Sequence, residues 1–158
     1  MTTTSTMIPA TIDRLIELYK TATDTTICDA EDDWNSTMRS CVLVGVKFDE
    51  DSGEMVGEIH AEQTYPHANW RTKEENLVIP HSIIVWSGDT KVANRRTKAM
   101  EIFSELEGAH RLHNGLDLPE LIDSGFGLNL ELRYMHTQDG NAVVLTWNVT
   151  TRARFTIT

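Results

Sequence analysis

Phe126-Gly127-Leu128-Asn129-Leu130-Glu131-Leu132-Arg133-Tyr134 sets an apolar residue at every second position. Val143, Leu145, Trp147, Val149, Ala153, Phe155 and Ile157 continue the same alternation further on. A period of two is the mark of a strand with one buried face. Between the two runs stands Asp139-Gly140, a strong hairpin signal. With those two as the central turn residues, Tyr134 faces Leu145, Leu132 faces Trp147 and Leu130 faces Val149. Leu128 then faces Thr151, and Phe126 faces Ala153. Only Thr151 breaks the apolar match, and a slip of one residue would set apolar against polar throughout. The chain is therefore expected to close in a β-hairpin.

That hairpin is long. A strand from Val143 to Ile157 spans about 50 Å at ~3.4 Å per residue, against a radius of gyration of about 15 Å for a chain of this size. It must bend, break or project. In this register Arg154 to Thr158 also runs past the start of its partner. Either this end or the hairpin tip reaches a neighbouring subunit, or the strand bends round its own sheet or pairs with the run Cys41 to Phe48.

Upstream, Ile8, Ile12, Leu15, Ile16 and Tyr19 recur at helical spacing behind Pro9, which suits a first turn. Residues 1–6 are polar and read as a disordered tail, which leaves 7–158 as a single domain. Residues 23–40 read as an acidic loop, with Trp34 folding back onto the core. Cys41 to Phe48 reads as a strand with Val42, Val44, Val46 and Phe48 on one face. A turn at Asp49-Glu50-Asp51-Ser52-Gly53 leads to a second strand within Met55 to Tyr65, and Pro66 to Lys73 is a loop. Leu77 to Trp86 is apolar on both faces and should be covered on both, with Pro80 marking a bulge or an unpaired edge. Ser87-Gly88-Asp89 is a turn and cap. A second helix follows, burying Val92, Ala93, Ala99, Met100, Phe103 and Leu106 and ending at Gly108 or Gly115. A short helical turn is expected at Pro119 to Ile122. The fold class is α+β: a mixed or antiparallel sheet of about four to five strands against two helices.

The chain has 158 residues and a formal net charge of −10. That balance opposes generic binding to nucleic acid. Two cysteines, Cys28 and Cys41, lack metal-site spacing; Cys41 reads as a small core residue, although a bridge between them is possible. The polar start is neither signal peptide nor anchor, and no apolar run is long enough to span a membrane.

The chemistry-bearing types form no constellation. His110 and His113 share a helical face but lack the glutamate and third ligand of a zinc site. Asp49 to Glu54 misses the glycine and glutamate positions of a calcium loop. Ser87-Gly88 lacks the flanking glycines of a nucleophile elbow. Gly125-Phe126-Gly127 precedes a strand, so it is no phosphate loop. Neither catalytic, cofactor-binding nor metal-binding residues are expected. The charges suggest an interface instead. Lys91, Arg95, Arg96 and Lys98 cluster on the second helix, and Arg152 and Arg154 share one strand face. They are candidates to meet the acidic segments 29–33 or 49–54, Asp49 and Asp51 among them, on a neighbouring copy. Opposite patches on one molecule suit head-to-tail rings.

Three stretches together resemble the tail terminator proteins of long-tailed bacteriophages: Ile8-Pro9-Ala10-Thr11-Ile12-Asp13-Arg14-Leu15, then Ile84-Val85-Trp86-Ser87-Gly88-Asp89 leading into a basic helix, and the closing Thr151-Arg152-Ala153-Arg154-Phe155. The resemblance covers nearly the whole chain. It implies a structural, non-enzymatic subunit of the virion, made in the host cytoplasm and placed at the tail–head junction. The implied partners are five further copies in a hexameric ring, the major tail tube protein and the head–tail connector. DNA at most passes through the lumen, and no membrane is involved. The alternatives are another neck or minor tail protein, a small ligand-binding or enzymatic α+β domain, and a plain dimer.

Overall fold

The computed structural model describes residues 5–30, 40–48, 54–66, 71–86, 91–137 and 140–157. The turns at 49–53 and 87–90, Trp34 and the hairpin residues 138–139 fall outside them.

The order is α1 (Ile8–Ala22), β1 (Thr26–Asp29), β2 (Ser40–Val44), β3 (Val46–Phe48), β4 (Met55–Gly57), β5 (His60–Thr64), β6 (Thr72–Trp86), α2 (Val92–Leu112), a 3₁₀ turn (Asn114–Asp117), β7 (Leu121–Phe126), β8 (Glu131–Thr137) and β9 (Gly140–Thr156). The class is α+β, with more strands than the pattern suggests: a seven-stranded mixed sheet and a two-stranded β3–β4 ribbon.

Two long strands form the spine. β6 and β9 pair antiparallel over fifteen residues, from Thr72 with Thr156 to Trp86 with Ala142. The length of β9 is thus absorbed by an equally long partner. The C-terminal end does not project, because Arg154 lies opposite Glu74. Short strands flank the spine end to end. β5 and then β2 line β6, and β7 and then β8 line β9; β1 extends the sheet beyond β2 in parallel. Pro80 falls at the junction between β5, which ends opposite Val78, and β2, which begins opposite His81. Its missing N–H therefore deprives no strand neighbour.

The hairpin exists in a different register. Leu132 faces Leu145 and Tyr134 faces Val143, and the closing pair is Thr137 with Gly140. The slip is two residues, so every apolar position keeps its face. Alternation cannot distinguish such registers. Gly140 adopts φ +129° at the first position of β9 rather than within the turn. The expected single strand 126–134 is also broken. Phe126 pairs with Val149 but Glu131 with Thr146. Five steps on one side match three on the other, so two residues are extruded and Leu128 stands fully exposed. The break begins at Gly127, whose N–H donates to the Asn148 carbonyl at 2.6 Å. A Cβ there would meet that oxygen at 3.0 Å.

Three further expectations need correction. Residues 26–29 form a strand, not loop; four residues are too few to show a period. The run Cys41 to Phe48 is cut by Gly45, with φ +90°. Val42 and Val44 face the helices, whereas Val46 joins the opposite cluster with Cys28, Cys41, Leu43 and Ile84. Both cysteines are buried as thiols, not joined in a disulfide. The helical turn after α2 lies at Asn114–Asp117, and Leu121 onward is strand. Gly115, Leu116 and Asp117 all take left-handed φ there. Leu116 is fully buried, and Arg14 of α1 donates to its carbonyl at 2.9 Å and to Asp117 at 2.9 Å. Those contacts hold a backbone that non-glycine residues resist.

Both helices pack on one sheet face, α1 against β1 and β2, and α2 against β6 and β9. Leu15, Leu18, Tyr19, Ile102 and Leu106 meet Val42, Leu77, Ile83, Leu145 and Val149. Each such side chain contributes about 1.5–3 kcal/mol. Thr151, the exception in the alternation, is indeed on this face, and its buried hydroxyl has no hydrogen-bond partner. Thr151→Val is expected to raise the unfolding free energy by about 1 kcal/mol, because it keeps the shape and removes an unsatisfied group. Urea denaturation of the pair checks this; a less stable variant would show that the hydroxyl is satisfied.

Candidate interaction surface

α2 starts at the end of the sheet where β6 finishes and runs back over the spine. It exposes one flank toward β8. Between them lies a long groove. Its upper part, about 690 Å³, is bounded by Arg96, Met100, Glu105 and Leu132. Its lower part, about 570 Å³, is bounded by Phe103, His110, Ser124, Phe126 and Leu130. Leu128, Leu130, Leu132 and Tyr134 follow one another along the open side and are all exposed, as is Met100 across the groove. Arg96 reaches across to donate to the Tyr134 hydroxyl at 3.1 Å. Contiguous exposed apolar residues of this kind mark contact surfaces. β8 is also a sheet edge: among the described residues it pairs with β9 alone.

The structure divides the expected interface set. Lys91, at the N-cap of α2, and Arg96, in its second turn, are exposed, and Arg96 is the one that reaches β8. Arg95 is only 5% exposed, which corrects its place on the open face. It falls on the same side of the helix as Ala99, Ile102 and Leu106, one turn and more away, and so turns toward the sheet. Arg152 and Arg154 are exposed on the helix-free side of the sheet, away from α2. Arg154 is ion-paired with Glu74 through Nε at 2.9 Å, and Arg152 lies opposite Asn76 and Asp123. Asp49 and Asp51 lie outside the described residues. The described acidic flank is instead Asp13 and Glu17 on α1, Asp24 in the link to β1 and Asp29 on β1, all exposed, with Arg14 paired to Glu17 at 3.2 Å and Lys20 among them. β1 and β8 stand at opposite ends of the strand row β1-β2-β6-β9-β8.

The histidines do not converge. His110 Nε2 lies 2.9 Å from Ser124 Oγ, which also accepts the Gly115 N–H at 3.2 Å. His113 turns to Asp117 at 2.7 Å, and Arg14 and His113 together hold the Asp117 carboxyl below its ordinary pKa. No group of three metal-ligating side chains occurs among the described residues. The His110–Ser124 pair superficially resembles a nucleophile and base. However, His110 Nδ1 is buried without a partner, so no acid orients the ring. Burial lowers the His110 pKa. The contact fastens α2 to β7, and its residues are fourteen apart with no motif to announce them.

No helix among the described residues is long and apolar enough to cross a membrane. The chain matches no protein-family model, and no curated protein matches it.

Proposed function

We propose that this chain is a structural assembly subunit, a phage tail terminator that forms a ring on the tail tube, stops its growth and meets the head connector. The observation that carries the reading is the exposed apolar groove between α2 and β8, flanked by Arg96, with Asp13, Glu17, Asp24 and Asp29 on the opposite end of the molecule. Flanks of opposite sign at opposite ends favour head-to-tail contacts, which close into rings. The sequence resemblance supplies the tail as the place of assembly.

The test is growth of tail tube protein in vitro with and without this chain. The expected result is tubes of shorter mean length, each capped at one end by a ring of sixfold mass. Unchanged tube length with no end-bound density would overturn the reading. The rival, a ligand-binding domain, rests on the hollow beside His110 and Ser124. A pocket of that volume with a few polar groups falls in the small-molecule range.

A further inference from the structure

The geometry points to a two-fold contact in which the outer edge of β8, which among the described residues pairs with β9 alone, pairs antiparallel with β8 of a second copy, centred on Leu132. Glu131 to Tyr134 open β8 and Leu130 stands immediately before it, and these five residues are chemically symmetric about that centre. In an antiparallel pair with Leu132 opposite Leu132, Leu130 meets Tyr134 of the other copy, and Glu131 meets Arg133. Each relation occurs twice, as an isologous contact requires. Apolar residues meet apolar ones, and every charge meets its opposite. Register displacements of one residue in the sum would set Leu132 against Glu131 or Arg133, so the charge pattern selects this centre.

The faces agree. Leu132 and Tyr134 share the helix-bearing face with Leu145 and Val143, whereas Glu131 and Arg133 share the other with Thr146 and Val144. Arg133 and Glu131 of one copy are already 3.0 Å apart. Adding the second copy makes a four-charge cluster of alternating sign. Leu130, Leu132 and Tyr134 are 37–49% exposed. Pairing covers them and supplies partners for the edge backbone, which an unprotected strand otherwise leaves open.

This contact does not rest on the terminator reading. A two-fold contact yields a dimer and cannot by itself close a cyclic ring. It occupies the β8 flank, so a ring that uses that flank forms only after the dimer parts.

Light scattering across concentration, with amide exchange of the native chain, tests the inference. The expected result is a reversible dimer in which amides of residues 130–134 slow as the dimer fills. Glu131→Arg alone sets like charges opposite twice and weakens dimerisation about tenfold or more. Arg133→Glu does the same. The double reversal restores the wild-type midpoint to within about threefold. These side chains are exposed, and circular dichroism verifies that each variant keeps its fold. A monomer at every concentration overturns the inference. A double reversal no better than the singles also overturns it. A sixfold ring whose 130–134 amides exchange freely overturns it, and puts the ring contact away from β8.

Discussion

Glu75→Ala is expected to lower the unfolding free energy by about 3–4 kcal/mol at neutral pH. Glu75 is a strand residue with no exposed surface, yet it caps a helix. α1 has Met7 at its N-cap, a side chain that offers no capping oxygen, and Thr6 Oγ accepts the Ile8 N–H at 3.2 Å. The Met7 N–H instead donates to Glu75 Oε1 at 2.7 Å, and the Thr6 hydroxyl donates to Oε2 at 2.7 Å. Gln63 donates to the same carboxylate from β5, and Lys73 donates to the Gln63 oxygen at 3.2 Å and to the Ser5 carbonyl at 3.0 Å. The carboxylate thus sits at the positive end of the helix dipole with three donors around it. Alanine leaves those donors without an acceptor, at about 1–3 kcal/mol each where water cannot enter. Glu75→Gln keeps one acceptor oxygen and loses the charge, so its expected cost is about half. Thr6→Ala removes two bonds, the donation to Glu75 and the acceptance of the Ile8 N–H at 3.2 Å, and is expected to cost about 1–2 kcal/mol. Urea denaturation orders the three. A loss below about 1 kcal/mol for Glu75→Ala would mean that water replaces the carboxylate. The same network holds Ser5 and Thr6, the two residues of the expected tail that the structure describes.

Local pattern carried both helices and both strands of the spine, but neither their pairing with each other nor the start of β6 at Thr72, inside the expected loop Pro66 to Lys73. α1 runs three residues past Tyr19 to Ala22, and α2 runs through Gly108 to Leu112 because one glycine costs a helix only about 1 kcal/mol. Pro80 correctly announced the unpaired stretch of β6. Features decided by distant residues were not legible. The cap on Met7 comes from sixty-eight positions away. The turn of Val46 to the second face depends on Gly45, whose N–H donates to the Pro80 carbonyl at 2.7 Å. The hairpin register depends on whether Gly140 closes the turn or opens the strand, and alternation is blind to that choice. The candidate surface was half legible. Leu128 to Tyr134 read as a buried strand face because a period of two says which face a residue takes. It does not say whether a helix reaches far enough to cover it. α2 stops short of β8, and the apolar row is left open.

Acid is expected to destabilise the fold through His81, by about 3 kcal/mol between pH 6.5 and pH 4. The ring is fully buried between α1 and the sheet. Its Nδ1 lies 2.9 Å from the Ile79 carbonyl and therefore carries the proton, which leaves Nε2 to accept from the Tyr19 hydroxyl at 3.1 Å. Trp147 stacks at 5.2 Å. Burial pushes the His81 pKa down to about 4, only partly opposed by the Ile79 carbonyl, and His110 on α2 adds a small like-charge contribution. The same burial raises the Tyr19 pKa well above its ordinary value, which keeps the hydroxyl a donor. The sign follows from proton counts. Below pH 6.5 the unfolded chain takes up a proton on this residue, and the folded chain does not until about pH 4. Stability is therefore complete above 6.5, falls by up to about 1.4 kcal/mol per pH unit within the window, and levels off below it. His110 titrates in the same direction, since its pKa is also lowered. Comparison with His81→Gln separates the two. Gln lacks the titration, so the variant is expected to be less stable at pH 7 and to show a shallower acid limb. The measurement is urea denaturation at half-unit steps from pH 4 to pH 8. Parallel curves for the two proteins would show that His81 titrates alike in both states, and the acid slope would then belong to His110 and the carboxylates.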